Sequence, residues 1–323
     1  MNTGIIIAGG AGFIGSHLVR HFFASGRHVL VLDNLCRGRE AHIKDMLGDG
    51  RLTFANINIE DTDRLTRIMG EFHTSHPVDV LWHMAANSDI PAGIADPDID
   101  LRDTFMTTHS LLTAMRRIGL VRIAFASSSA VYGDHGPDTP LREDTGPLLP
   151  ISSYGAMKLA SEASVSAATE HFLERSWVFR FPNVVGVPAT HGVILDFIRR
   201  LKTDPRKLDV LGDGTQRKAY LHVDELVAAM LFVVERSTAR RNCFNIGPLD
   251  DGVTVRSIAE DVVASVAPDA AIAYGQEPRG WVGDVPRFSY DVGSLAALGF
   301  TPRLGSRDAV RRAIDEIARQ EGA

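Results

Sequence analysis

A doubly wound α/β fold, a parallel sheet covered by helices on both faces and joined to a smaller second domain, is predicted by three features of this sequence. Short β-branched runs alternate with helical patterns up to about Arg180, the first run enters a loop of regularly spaced glycines, and the second run ends in an aspartate. Alternation of this kind implies parallel strands with ligands at their carboxyl ends.

The elements follow in order. Gly4-Ile5-Ile6-Ile7-Ala8 is a short apolar run of the kind buried in a parallel sheet. It enters Gly9-Gly10-Ala11-Gly12-Phe13-Ile14-Gly15, and a helix patterned through His17, Leu18, Val19, Phe22 and Phe23 comes next. Such glycines let the backbone approach a pyrophosphate, which the free N–H groups of the helix N-terminus attract. The second run, Val29-Leu30-Val31-Leu32, ends in Asp33, 18 residues after Gly15, where an acid meets ribose hydroxyls. That acid repels a 2′-phosphate and favours NAD over NADP, although Arg37 and Arg39 stand close behind. Leu52-Thr53-Phe54, a helix over Thr62 to Phe72, Val78 to His83, a helix over Thr104 to Ile118, and Val121 to Ala126 continue the rhythm. After His83, the small residues Ala85 and Ala86 leave room for a flat ring against the backbone.

The chemistry concentrates between Ser127 and Lys158. Ser127-Ser128-Ser129-Ala130-Val131-Tyr132-Gly133 follows the strand ending at Ala126, and Tyr154-Gly155-Ala156-Met157-Lys158 follows a Pro-rich interval. Residues four apart share one face of a helix, so the Lys158 ammonium is expected beside the Tyr154 phenol. A free tyrosine, with a pKa of roughly 10, is a poor base, and a neighbouring cation would favour its phenolate. Ser128 adds the second hydroxyl of a proton relay. Alone, this pair would read as a surface Tyr and Lys on an ordinary helix; the glycine loop argues otherwise.

Composition narrows the partners. The 323 residues are 45% hydrophobic and 23% charged, and the net charge of -6 gives no reason to expect nucleic acid. Two cysteines make no disulfide framework, and a reducing cytoplasm is the expected setting. The longest apolar run, Leu226 to Val234, is too short for a membrane span, and the N-terminus does not read as a signal peptide. No metal is expected: His17 and His21 lie four apart without a third ligand, and His73 and His76 flank a loop. Cys36 has Arg37 beside it, which would lower its pKa, but no base partner, and reads as a bystander thiol.

Taken together, Gly9-x-x-Gly12-x-x-Gly15, Asp33-Asn34, His83-Met84-Ala85-Ala86, the Ser127–Gly133 run and Tyr154-x-x-x-Lys158 resemble the extended short-chain dehydrogenase/reductases. Within them the chain is most similar to nucleotide-sugar epimerases related to UDP-galactose 4-epimerase. The resemblance implies catalysis by Ser128, Tyr154 as the base, and Lys158 as its partner and the holder of the nicotinamide ribose. It implies NAD contacts from Gly9, Gly12, Phe13, Ile14, Gly15, Asp33, Asn34, Asn58, Ile59, Ala85, Ala86, Ser127, Tyr154 and Lys158. Substrate contacts are implied for Ser128, Ser129, Asn183, Lys218, Tyr220, Arg279 and Phe288. Three positions depart from the family pattern: Asn58 replaces an adenine-binding aspartate, Lys218 an arginine, and Arg279 sits two residues early with Trp281 in its place. An amide oxygen still accepts a hydrogen bond, whereas lysine lacks the bidentate fork.

The implied reaction is epimerisation of a nucleotide-diphosphate sugar, at C4 of a UDP-hexose or UDP-hexuronic acid, through a transient 4-keto sugar. Related 4,6-dehydratases carry Asp-Glu where this chain has Ser129 and Ala130, which cannot protonate a leaving hydroxyl. A C2-epimerase, a 4-keto reductase or another oxidoreductase would share the same Tyr and Lys. A protein of another class, an NAD-bound redox sensor, would typically lack that pair. The expected organisation is a Rossmann domain over residues 1–182, with 223–246 returning to it, and a sugar-nucleotide domain over 183–222 and 247–323. A homodimer is implied through helices near 101–118 and 153–172.

Overall fold

The computed structural model describes residues 3–136, 139–277 and 289–323. By its contacts the chain divides into two compact units, the first made of Met1–Val131, Leu148–Arg180 and Val233–Phe244, the second of Tyr132–Pro147, Phe181–Phe232 and Asn245–Ala323.

The first unit is built on a seven-stranded sheet: β1 (Gly4–Ala8), β2 (His28–Asp33), β3 (Leu52–Asn56), β4 (Val78–His83), β5 (Arg122–Ala126), β6 (Arg175–Arg180) and β7 (Arg241–Asn245). Their spatial order is β7-β6-β5-β4-β1-β2-β3. The pairs β1–β2, β2–β3, β1–β4, β4–β5 and β5–β6 are parallel. Strand order therefore reverses between β1 and β4, and a crevice opens beyond the carboxyl ends of the strands there. Register puts Ala8 abreast of His83 and His83 abreast of Phe125, so the loops after β1, β4 and β5 emerge side by side.

The helices of this unit are α1 (Phe13–Ala24), α2 (Thr62–Ser75), α3 (Thr107–Ile118) and α4 (Ser153–His171), with short helical turns at Ile90–Ala95 and Pro97–Asp100. Burial explains the β-branched runs: Ile6, Leu30, Leu32, Leu81 and Ile123 are fully buried in one core with Leu65 and Met69 of α2 and Leu111 and Met115 of α3. Asp61 caps α2 and Ser152 caps α4, each accepting from a backbone N–H three residues on. The α-helix expected from Thr104 begins at Thr107, because Leu101–Met106 forms a π-helical turn. There Thr104 O accepts from the Thr107 and Thr108 hydroxyls, and Thr104 Oγ1 accepts from Asn87 N, which hold the wider turn.

The second unit packs three helices, Val193–Thr203, Val255–Val266 and Ser306–Glu321, on a core that includes Phe197, Ile198, Ile258, Val262 and Ile314. The first of these starts directly after Gly192, whose φ is 110°. Its basic residues are tied within the unit, Arg199 to Glu321 and Arg200 to Asp196, which makes them a salt-bridged surface. No described helix is long and apolar enough to cross a membrane.

Candidate active site

The loop after β1 is shaped by what a side chain would strike. A Cβ on Gly9, whose φ is 78°, would lie 2.6 Å from Ala85 N, and one on Gly15 would lie 2.0 Å from Gly9 O. At these two positions the turn can therefore present only bare backbone. Helix α1 begins here with Gly12 as a cap that offers no side-chain hydrogen bond, and its first turn holds no acid. Its N–H groups are left to an anion, as a bound diphosphate requires.

Asp33 stands at the tip of β2. Its Oδ2 accepts from Ala11 N at 2.9 Å and its Oδ1 from Leu35 N at 2.8 Å, which fixes the carboxyl at the tip of β2. Burial pushes its pKa up against those two N–H groups. Leu35 carries a φ of 62°, unusual for a branched side chain, in the turn that supplies this contact. Arg37 pairs with Asp89 at 3.0 Å, which answers the charge that would otherwise favour a 2′-phosphate. Asn34 is exposed and accepts from Cys36 N. Cys36, expected to be acidified by Arg37, is instead pushed up by desolvation and by Asp103 and Asp33. Asn58 is exposed and its Oδ1 already accepts from Glu60 N, while Ile59 is buried. The cradle, the open helix end and the oriented acid fit NAD.

At the neighbouring strand ends stand Ser128, Tyr154 and Lys158, the groups expected to handle protons. Tyr154 is half-buried in the first turn of α4, near enough to the Ser128 hydroxyl for the serine to lower its pKa. Ser128 Oγ also accepts from Ala130 N at 3.1 Å, inside the turn that carries Ser129. Lys158 lies one helical turn on, only 2% exposed. Its Nζ donates to Ala126 O at 2.6 Å and sits 4.8 Å from the Phe125 ring centroid and 5.8 Å from that of Tyr154. The expectation that this ammonium makes the phenol acidic is corrected by burial. Desolvation takes the Lys158 pKa down to about 7, with Glu162 and Asp100 opposing it, and the Tyr154 pKa up to about 12, with Ser128 opposing it and Asp100 adding to it. The chain alone thus holds Tyr154 as a phenol.

Ser127 is placed differently from a cofactor ligand. It is 1% exposed, its hydroxyl donates to Glu162 Oε1 and its N–H to Phe179 O. Glu162 in turn receives two bonds from Arg180, Nε at 3.0 Å and a terminal nitrogen at 2.7 Å, and both side chains are almost fully buried. Glu162, Asn87 and Asp100 were not singled out from the sequence; the last residue of a Tyr154-Lys158-Glu162 stripe along one helix face was the available signal for the first of them. His83 Nε2 meets Thr108 Oγ1 at 2.8 Å, and burial holds its pKa well below the ordinary value, so it is neutral. Removing one partner of a buried ion pair strands the other: Glu162→Ala is expected to lose about 3–5 kcal/mol of unfolding free energy, measured by urea titration, with Glu162→Gln losing less.

In the second unit, Asn183 and Tyr220 are register partners on the parallel strands Asn183–Val185 and Tyr220–His222. Lys218 lies two residues before Tyr220, on the strand Arg217–Lys218. A Cβ at Gly252 would come within 2.1 Å of Lys218 O, so a glycine is needed where the chain crosses that strand. Asn183 is exposed and Tyr220 buried. Arg279 and Phe288 lie outside the described residues. Tyr132, in the run after β5, donates to Asn245 Oδ1 at 2.7 Å and is wholly buried.

Known proteins are similar to this chain over most of its length. A UDP-glucose 4-epimerase of Lacticaseibacillus casei is 31% identical over 263 residues, 75% of this chain and 76% of its own. The crystal structure of a UDP-glucose 4-epimerase from Thermus thermophilus, in complex with NAD, matches with a TM-score of 0.83 at 27% identity, covering 98% of this chain and 99% of its own. A dTDP-glucose 4,6-dehydratase of Streptomyces venezuelae, with NAD bound, matches with a TM-score of 0.85 at 27% identity, covering 98% and 97%. With residues 5–247 matched by the family model, the chain belongs to the NAD dependent epimerase/dehydratase family.

Proposed function

We propose that this protein is an NAD-dependent epimerase of a nucleotide-diphosphate sugar, acting at C4 of a UDP-hexose or UDP-hexuronic acid. The observation that carries the reading is the buried Lys158 ammonium 5.8 Å from the Tyr154 ring centroid, at strand ends adjoining the glycine cradle. NAD, when bound, would supply the acceptor and then the donor of the hydride at C4, and its positive charge would favour the phenolate of Tyr154. Gly9, Gly12 and Gly15 admit its diphosphate, Asp33 orients its adenosine ribose, and Ala85 lies against the loop backbone.

The chain's own part is proton transfer and orientation. Tyr154, as phenolate, takes the proton from the sugar's 4-hydroxyl, and Ser128 holds the same oxygen by a hydrogen bond. When the ketone is reduced from its other face, Tyr154 returns that proton, so no net acid, base or oxidant is consumed. Asn183, Lys218 and Tyr220 are assigned to the sugar nucleotide. Ser129 and Ala130 supply no acid for expulsion of a 6-hydroxyl, which separates this chemistry from that of the dehydratase relatives. We further read the protein as a cytoplasmic homodimer: Cys36 and Cys243 are free thiols, and the helices over 101–118 and 153–172 carry apolar stripes.

Proton NMR of UDP-, dTDP-, GDP- and CDP-sugars incubated with the protein and a trace of NAD tests the reading. The expected result is a new anomeric signal from the C4 epimer without net NADH. A keto or unsaturated sugar, or stoichiometric NADH, would overturn it in favour of dehydration or net oxidation.

A further inference from the structure

Arg37 bridges two loops that lie on opposite sides of the glycine cradle, and the reaction above gives that bridge no task. In the sheet β1 lies between β2 and β4. Arg37 stands in the loop after β2, and Asn87 and Asp89 stand in the loop after β4. A terminal nitrogen of Arg37 donates to Asn87 Oδ1 at 3.2 Å and pairs with Asp89 Oδ2 at 3.0 Å. Neighbouring strands lie about 4.8 Å apart, so the bridge spans two spacings, roughly 10 Å, across the line of β1 beyond its carboxyl end. The cradle opens at that end. Both loops also touch it: Arg39 N donates to Ala11 O at 3.0 Å on one side, and Gly9 packs on Ala85 N on the other.

The two ends of the bridge differ in freedom. Asn87 is 2% exposed and held from every direction. Its Oδ1 also accepts from Asp89 N at 3.0 Å, its Nδ2 donates to Asp89 O at 3.0 Å and to Asp100 Oδ1 at 2.8 Å, and its N–H donates to Thr104 Oγ1 at 3.1 Å. Asp89 is fixed in turn, since its Oδ1 accepts from Ala92 N at 3.0 Å. Arg37 is the movable end, with a side chain 42% exposed. An acceptor pair already in place leaves the entropy of one long side chain as the main cost of closing the bridge. A partly exposed ion pair alone contributes little. A charged donor on a buried, fixed amide oxygen contributes more.

We propose that Arg37 is a strap across the cofactor groove, whose bridge to Asn87 and Asp89 closes over NAD and slows its release. The proposal requires that NAD binds and is independent of the sugar and of the bond acted upon. A direct partner of the diphosphate would use the same guanidinium in the opposite sense, because Asp89 would then compete with the phosphates for it.

Release of NADH, followed as the loss of its bound fluorescence on chasing with excess NAD, separates the two. Arg37→Met is expected to release NADH about tenfold faster, the loss of one charged hydrogen bond. Asp89→Asn, which still offers an oxygen to Ala92 N, should release it faster as well, though by less. The double variant should be no faster than Arg37→Met. Slower release from Asp89→Asn would mean that the freed Arg37 binds the diphosphate, and it would overturn the strap. A merely structural role would lower the unfolding midpoint of the cofactor-free protein and leave the release rate alone, which also overturns it, as would failure of the parent to bind NADH. Either single variant decides the question if the other does not fold. If no sugar is converted but release quickens in both variants, the epimerase reading fails and the strap stands; if sugar is converted and release is unchanged, the strap fails alone.

Discussion

Tyr154→Phe is expected to lower kcat for sugar conversion by roughly 10²- to 10⁴-fold, the range general acid–base catalysis contributes, while NAD and sugar nucleotide still bind. The phenyl ring keeps the packing of the first turn of α4 and loses only the hydroxyl near Ser128. Nothing else described at these strand ends can replace it. His83 is neutral, buried and committed to Thr108, and Ser128 alone has no base to take its proton. Ser128→Ala should fall less far, because the phenol would keep the proton transfer and lose one hydrogen bond to the reacting oxygen. Steady-state kinetics with NAD occupancy measured in parallel checks this. An unchanged kcat in Tyr154→Phe would place the proton carrier elsewhere and favour the sensor class of protein.

The direction of the Tyr154 shift shows where sequence reading stops. Spacing correctly puts Tyr154 and Lys158 on one helix face, because helical periodicity is local. Whether the lysine then acidifies the phenol depends on desolvation by Phe125, Ala126 and the π-helical turn, which lie 32 to 57 residues away in the chain by the separation of Lys158 from Ala126 and Leu101. Periodicity carries no record of such burial. Glu162 and Arg180 are 18 residues apart on different elements and meet only when α4 packs on the sheet. Asp100 was invisible for the same reason, sitting in a polar stretch that reads as solvent-facing until the fold buries it. The strands and the glycine loop were legible because their signals are local: apolar runs of about five residues, turn glycines, and an acid at a fixed distance.

Those glycines support the last prediction, a graded loss of NAD affinity across the loop after β1. At Gly15 an added Cβ would stand 2.0 Å from Gly9 O, a backbone atom with no rotamer to adopt, so Gly15→Ala must displace the turn itself. Gly9 cannot yield freely: its own Cβ position is 2.6 Å from Ala85 N, and its N–H is held by Leu32 O at 2.7 Å. Overpacking of this kind costs about 1–3 kcal/mol, and every 1.4 kcal/mol expressed in the complex is about tenfold in affinity. Gly15→Ala should therefore weaken NAD binding by about 10- to 100-fold and reduce the cofactor that copurifies. At Gly12 the nearest atom is Gly9 O at 3.2 Å and φ is -78°, which alanine accepts, so Gly12→Ala should lose much less. Gly26 is the control, because it has a positive φ but nothing within 4 Å of the added Cβ. Gly26→Ala should reduce stability by about 1 kcal/mol and leave the NAD dissociation constant unchanged. Calorimetric titration of the three variants separates the alternatives: equal losses at Gly12 and Gly15 would mean that steric closure of the cradle does not govern binding.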